Sequence, residues 1–245
     1  MTGLGTLINI GTIIVGGAFG LILKRFLAKR ITDTILQGVA LAVFVVGISG
    51  TLIAAFTIVD GVIISEHVLI MIVSLALGAL IGELLRIEDR LESFGNFCEK
   101  KLTKPDDEST FAQGFITATL VFCVGSMAIV GSLEDGINNN SDILVAKSII
   151  DGITAMIFAS TMGIGVLFSA LTVGLYQGTI TLLAVALSPF FSDIVVMQMS
   201  LVGSILIMSI GLNMLKISKI KTGNILPAIF IPAIYHLILF IFPAA

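Results

Sequence analysis

Charge is scarce in this chain. Asp, Glu, Lys and Arg together supply 12% of its 245 residues, where a soluble globular domain carries roughly 25%. So few solvated side chains cannot clothe a soluble domain of this length, whereas a bilayer removes the need for them. The net charge of −3 says nothing about nucleic acid, but the sequence offers no basic face for phosphates, so a nucleic-acid partner is not expected. Cysteine occurs twice: Cys98 falls in a basic stretch and Cys123 inside an apolar one. That is not the spacing of a metal site, and a disulfide between such positions is not expected. No lysine or arginine precedes the first apolar run, and no small-x-small site follows it, so a cleavable signal is not expected either. His-Glu-x-x-His is missing, as is a phosphate-binding glycine loop with its lysine.

What is present is apolar: 57% hydrophobic residues and a mean hydropathy of +1.13. Helical runs are expected at residues 4–23, 36–59, 67–85, 111–133, 195–215 and 225–242, with one uninterrupted apolar stretch at 149–191. Runs of about 20 such residues cross the roughly 30 Å hydrocarbon layer as helices. The fold class is therefore an all-α, polytopic transmembrane bundle of about eight spans, seven being the alternative, forming one integral membrane domain over 1–245.

Basic residues fix the orientation. Lys24, Arg25, Lys29 and Arg30 follow the first run, Arg86, Arg90, Lys100, Lys101 and Lys104 the third, and Lys216, Lys219 and Lys221 precede the last. The intervening segments hold Asp60, Glu66, Glu134, Asp135, Asp142 and Asp193, with Lys147 their single cation. By the positive-inside rule the three basic loops are cytoplasmic, which puts both termini outside.

Parity then constrains 149–191, because both of its flanks are on the outer side. Its roughly 43 residues make about 65 Å of helix, enough for two crossings and little else. A turn at 160–165 or at 174–178 has no charge to mark it, so a broken or re-entrant region is expected within 149–191. A weak hairpin repeat relates 1–60 to 66–135: Gly16-Gly17-Ala18-Phe19-Gly20 is echoed by Gly78-Ala79-Leu80-Ile81-Gly82, and Phe44-Val45-Val46-Gly47 by Phe122-Cys123-Val124-Gly125. Within 87–104, Ile87, Leu91, Phe94, Cys98 and Leu102 recur at helical spacing, as in an amphipathic helix on the cytoplasmic surface.

Ionisable and amide groups inside apolar runs are the candidate site, since a charge at membrane depth is costly unless paired or hydrated. Asp151 stands out, either as a cation or proton site or as the partner of Lys147 four residues earlier. Thr154, Ser160, Thr161 and Ser169 follow it, with Gly163 and Gly165 between them. Gln177 beside Gly178 offers an amide to a solute, or satisfies a buried turn. Asn9 and Asn213 line the same path or bond across helices. Glu83 reads as a pair with Arg86, and Asn224 with Pro227 as a helix start. His236 reads as a cross-helix hydrogen bond or a relay. No metal site or cofactor is expected.

Gly47-Ile48-Ser49-Gly50 matches the short Gly-x-Ser-Gly pattern of rhomboid-like intramembrane proteases. The histidine setting differs, however: rhomboids use Ala-His-x-x-Gly, and here the run is Tyr235-His236-Leu237-Ile238-Leu239. Catalysis is not expected. A broader resemblance runs through Gly5-Thr6-Leu7-Ile8-Asn9, Asp151-Gly152-Ile153-Thr154, Gly163-Ile164-Gly165-Val166-Leu167-Phe168-Ser169, Tyr176-Gln177-Gly178, Gly211-Leu212-Asn213-Met214-Leu215 and Asn224-Ile225-Leu226-Pro227-Ala228. On these segments the chain resembles the YdfK/YqgA-like bacterial inner-membrane family, a domain of unknown function. The resemblance implies a multi-pass cytoplasmic-membrane protein and no particular activity. The expected function is transport or channelling of an ion or small solute; the alternative is a non-transporting scaffold or regulatory subunit with Gly16/Gly20 and Gly78/Gly82 as contact faces. A homodimer suits either.

Overall fold

Apolar runs interrupted only by short polar turns produce a bundle of long helices. The computed structural model describes residues 2–59, 61–91, 93 and 111–241. Its helices are α1 (Leu4–Phe26), α2 (Lys29–Ala55), α3 (Val68–Leu85), α4 (Phe111–Cys123), α5 (Ser126–Asn138), α6 (Asp142–Met162), α7 (Gly165–Leu182), α8 (Asp193–Met214) and α9 (Ile231–Ile241). A turn of helix at Thr222–Ile225 and a 3₁₀ piece at Leu226–Phe230 lead into α9. Among the described residues, seven helical segments are long and apolar enough to span a bilayer, and the count is eight where the bent pair α4–α5 is taken as one span.

The second apolar run ends earlier than its composition suggests. Beyond Ala55 the chain forms a two-stranded antiparallel hairpin, β1 (Phe56–Val59) and β2 (Val62–Ser65), with Phe56 opposite Ser65. The β-branched pairs Ile58–Ile63 and Val59–Val62 favour the pleat, and Gly61 turns the chain at φ +77°. This hairpin is the one departure from helix in the all-α architecture among the described residues.

The expected crowding at 149–191 takes a different form. α6 begins at Asp142, not at Ile149, because Lys147 is buried in the helix rather than parked at the interface. The extra turns give two continuous helices of 21 and 18 residues, about 32 and 27 Å long. The interruptions are a tight turn at Gly163, whose φ of +80° favours glycine, and a break at Leu183 followed by the single helical turn Ala184–Leu187. The bent span lies elsewhere: Phe111–Cys123 and Met127–Asn138 meet at 59°. Gly125 sits at the bend with φ +128°, and the Val124 side chain fills the space that Gly203 of α8 leaves open. Gly47, the counterpart of Gly125 in the hairpin repeat, stays helical within α2.

Of the amphipathic segment 87–104, residues 87–91 and 93 are helical, while 92 and 94–104, with Cys98 and Leu102, lie outside the described residues. Arg86 redirects the chain there with φ +49°. Glu88 N–H donates to Asn224 Oδ1 at 2.8 Å, and Gly223 N–H donates to Glu88 Oε2 at 3.1 Å.

Glycine sets the packing. α1 and α6 run parallel at close range: a Cβ on Gly16 would stand 2.0 Å from the Gly152 carbonyl oxygen, and one on Gly20 2.2 Å from that of Met156. α3 meets the last span the same way, with Gly82 against the Asn224 carbonyl and Gly78 against Ala228. These two glycine faces are thus used inside the chain, and neither is free to hold a partner. α2 lies antiparallel to α8, with Phe44 opposite Gly211 and Gly47 opposite Met208. α8 is the central helix, with 72% of its span buried, against 17% for the peripheral α3.

These registers bring the basic loops to one end of the bundle. Phe44 of α2 lies beside Gly211 near the close of α8, so Lys29 and Arg30 open α2 several turns beyond that end, and Lys221 donates to Glu83 of α3 at 2.9 Å. That hydrogen bond raises the Lys221 ammonium above its ordinary range.

Gly16→Ala forces α1 away from the α6 backbone and is expected to cost about 1–3 kcal/mol. Gly11→Ala, where an added Cβ meets nothing within 4 Å, should stay within about 0.5 kcal/mol of the parent. Thermal unfolding in detergent reads both.

Candidate functional site

Parallel packing of α1 on α6 and antiparallel packing of α1 on α7 bring three polar residues to one level. Asn9 and Gln177 are 0% exposed and Asp151 5%. Asn9 Nδ2 donates to Asp151 Oδ2 at 3.0 Å and to Gln177 Oε1 at 3.3 Å. Lys147, one turn before Asp151 on α6, donates from Nζ to the same Oδ2 and is itself buried. The ammonium also faces the Phe122 ring, 6.0 Å from its centroid. Asp151 is thus paired with Lys147, one of its two expected readings, and it belongs to a buried polar cluster. Removing one member of such a pair leaves an uncompensated charge in a low-dielectric interior.

The cluster is not closed. Asn9 Oδ1 and Gln177 Nε2 have no hydrogen-bond partner among the described residues, nor do Thr6 Oγ1, Thr181 Oγ1 and both carboxylate oxygens of Asp135. These groups sit on α1, α5 and α7, which pack on one another and on α6. Thr6 precedes Asn9 by one turn and Thr181 follows Gln177 by one turn. Because α1 and α7 are antiparallel, both steps lead away from the basic end. Asp135 joins that second layer through its neighbour Gly136, whose added Cβ would lie 2.3 Å from the Thr181 carbonyl oxygen.

Other expected site residues serve the helices. Ser160, Thr161 and Ser169 donate to carbonyls of their own helices, those of Ile157, Phe158 and Val166, at 2.7, 3.0 and 2.6 Å. Gly163 makes the turn, and Gly165 admits α4, its Cβ position lying 2.1 Å from the Phe111 carbonyl oxygen. Gly178, next to Gln177, faces open space. Thr154 donates to the Ile150 carbonyl. With Asp151 it gives polar lining to an otherwise apolar groove of about 580 Å³ between α2 and α6.

Asn213 lies apart, at the basic end. Its Nδ2 donates to the Ile220 carbonyl at 2.7 Å, and its Oδ1 accepts from Ile220 N–H at 2.9 Å and Ser218 Oγ at 2.8 Å. It ties down the loop between α8 and the last span, and borders a cavity of about 200 Å³ with Glu88, Gln113 and Thr222. His236 takes the cross-helix bond: Nε2 lies 3.0 Å from Gln198 Oε1, and Gln198 Nε2 lies 3.1 Å from His67 Nδ1.

Asp135 and Lys147 were both placed in extramembrane flanks on charge alone. A signal for Asp135 exists in the spacing: Gly131, Ser132, Asp135 and Gly136 share a small, polar helix face, while Glu134 and Asn138 bond to each other on the other side at 2.9 Å.

Fold and site together define a polytopic membrane protein with a buried, partly unsatisfied polar core. Within that class the chain belongs to the family described as "Protein of unknown function (DUF554)", which it matches over residues 4–237. It is 33% identical over 230 residues to the "Uncharacterized membrane protein YdfK" of Bacillus subtilis, covering 94% of both chains. It is 29% identical over 232 residues to the "Uncharacterized protein YqgA" of Escherichia coli, covering 93% of this chain and 94% of that one. No solved structure matches it.

Lys147→Met leaves the Asp151 carboxylate buried without its cation and is expected to cost about 3–5 kcal/mol. The double variant Lys147→Met/Asp151→Leu should recover most of that loss, since both charges leave together. Denaturation of the purified variants in detergent checks the pair, and a double variant no better than Lys147→Met refutes it.

Proposed function

We propose that this protein is a small membrane carrier or channel for an ion or small solute, with its path through the polar core of α1, α5, α6 and α7. One observation carries the reading: Lys147, Asp151, Asn9 and Gln177 meet buried inside a bilayer-spanning bundle, and some of the hydrogen-bonding capacity of Asn9 and Gln177 is unspent. Hydrocarbon offers such groups nothing, so polar residues at this depth mark ion and solute pathways. The Gln177 amide N–H and the Asn9 carbonyl give a passing ligand one donor and one acceptor. The groove between α2 and α6 reaches Asp151 from the side, and the bend at Gly125 gives the neighbouring span a hinge of the kind seen in discontinuous transporter helices.

The alternative, a non-transporting scaffold, loses its proposed contact faces, because Gly16, Gly20, Gly78 and Gly82 are covered by the chain's own backbone. A scaffold also has no use for unsatisfied polar atoms at its centre.

The reading places the protein in the bacterial cytoplasmic membrane with both termini outside. Its support is the convergence of the three basic loops at one end. In a background with both native cysteines replaced by serine, Asn140→Cys should react with an impermeant maleimide on intact cells. Ser218→Cys should react only after permeabilisation; the reverse pattern inverts the topology.

Transport itself is tested in proteoliposomes loaded with ion-sensitive dyes. The wild-type protein should sustain a cation or solute flux above that of empty vesicles. Asp151→Asn should lower it at least about tenfold, a barrier change of roughly 1.4 kcal/mol. Equal flux from the two proteins removes Asp151 from the path.

A further inference from the structure

The transport reading leaves Asp135 unexplained, and its surroundings are specific enough to assign it a ligand. Asp135 is 0% exposed, and neither of its carboxylate oxygens has a partner among the described residues. No ion pair joins it to Lys147, whose ammonium is committed to Asp151. The Lys147–Asp151 pair is neutral as a unit, so an ionised Asp135 would put one uncompensated negative charge inside the bundle. A buried carboxylate in that position loses its charge or acquires a cation.

The neighbouring groups favour the cation. Thr6 Oγ1 and Thr181 Oγ1, 5% and 2% exposed by residue, are buried and unpartnered, as is Asn9 Oδ1 one turn deeper. All are oxygen acceptors, the ligand type that hard cations take. A proton on Asp135 adds one donor to the two that the threonine hydroxyls carry, and leaves most of the lone pairs of these oxygens unused. A dehydrated alkali ion satisfies several at once. A divalent ion would leave a buried positive charge in excess. The other charged groups on the elements packed around Asp135 are Glu134 on its own helix, bonded to Asn138, Asp142 and the Lys147–Asp151 pair on α6, Asp193 in the first turn of α8, and Lys24 and Arg25 at the far end of α1.

We infer that Asp135, with the hydroxyls of Thr6 and Thr181, binds a monovalent alkali cation in the layer next to the Asn9–Asp151–Gln177 cluster. That this ion is the one coupled to transport rests on the function proposed above; that it binds does not.

The test separates the two. Thermal unfolding of the purified full chain in detergent is followed at fixed pH and ionic strength, with choline chloride exchanged for sodium or potassium chloride. Wild type should melt roughly 5–10 °C higher at cation a hundredfold above its dissociation constant. Asp135→Asn should lose that response while still unfolding cooperatively. Thr181→Val keeps the carboxylate and serves if Asp135→Asn does not fold; its half-saturating cation concentration should rise about tenfold. Stabilisation by acid that ignores sodium and potassium means the site takes a proton, and overturns the inference. A cation response unchanged in Asp135→Asn or Thr181→Val places the ion elsewhere and overturns it too. Cation binding without flux in the vesicle experiment leaves the site standing and removes only the transport reading.

Discussion

Lys147 and Asp151 stand one helical turn apart on the buried face of α6 and share a proton-mediated contact that makes them electrically neutral together. Apart, each would need water or a counter-charge at a depth where neither is supplied. Together they let a helix with two formal charges beyond its first turn pass for an apolar span, and they hold a carboxylate oxygen in reach of Asn9 on α1. From that point the order of the bundle follows. α1 must lie parallel to α6 and close to it, which the glycines at 16, 20 and 152 permit. α7 must return antiparallel so that Gln177 reaches Asn9, and the turn at Gly163 makes that return short.

Two kinds of contact coexist in this interior. The α2–α8 side, and the side where α3 meets Thr222–Phe230, are sealed by close approach at glycine, and their buried polar side chains, such as Gln198 with His67 and His236, bond to one another. The α1–α5–α6–α7 side has the same close approach but encloses amides, hydroxyls and carboxylates that satisfy one another only in part. Native interiors leave few such atoms. Among the described residues, six of the nine such side-chain atoms lie on the mutually packed α1, α5 and α7, the other three belonging to Ser74, Thr119 and Ser200, and that concentration is what marks the region as a candidate binding site.

Much of this was legible in the linear chain. The apolar runs gave the spans, the three basic loops gave a common end, and Asn9, Asp151 and Gln177 were conspicuous because polar side chains are rare within such runs. What escaped had a common cause: a charge was taken as the edge of the membrane. Lys147 was read as a flank of α6 and Asp135 as a flank of α5, although each lies inside its helix. Moving the start of α6 to Asp142 is also what relieved the apparent shortage of residues in 149–191. The bend at Gly125 was hidden for another reason. Phe44–Gly47 and Phe122–Gly125 are alike in sequence and differ in conformation, since Gly47 packs against Met208 while Val124 inserts at Gly203 of α8. Only the tertiary neighbours distinguish them.

The parallel pairing of α1 with α6 has a consequence for biogenesis. Asn9 and Asp151 are 142 positions apart, and a ribosome adding about 5–20 residues per second needs roughly 7–28 s to connect them. During that interval the first helix resides in lipid with its amide unpaired and its glycine stripe uncovered. A nascent chain in this condition is a natural client for an insertase or a membrane chaperone, and the glycines that fit so tightly in the finished bundle are then its most exposed surface.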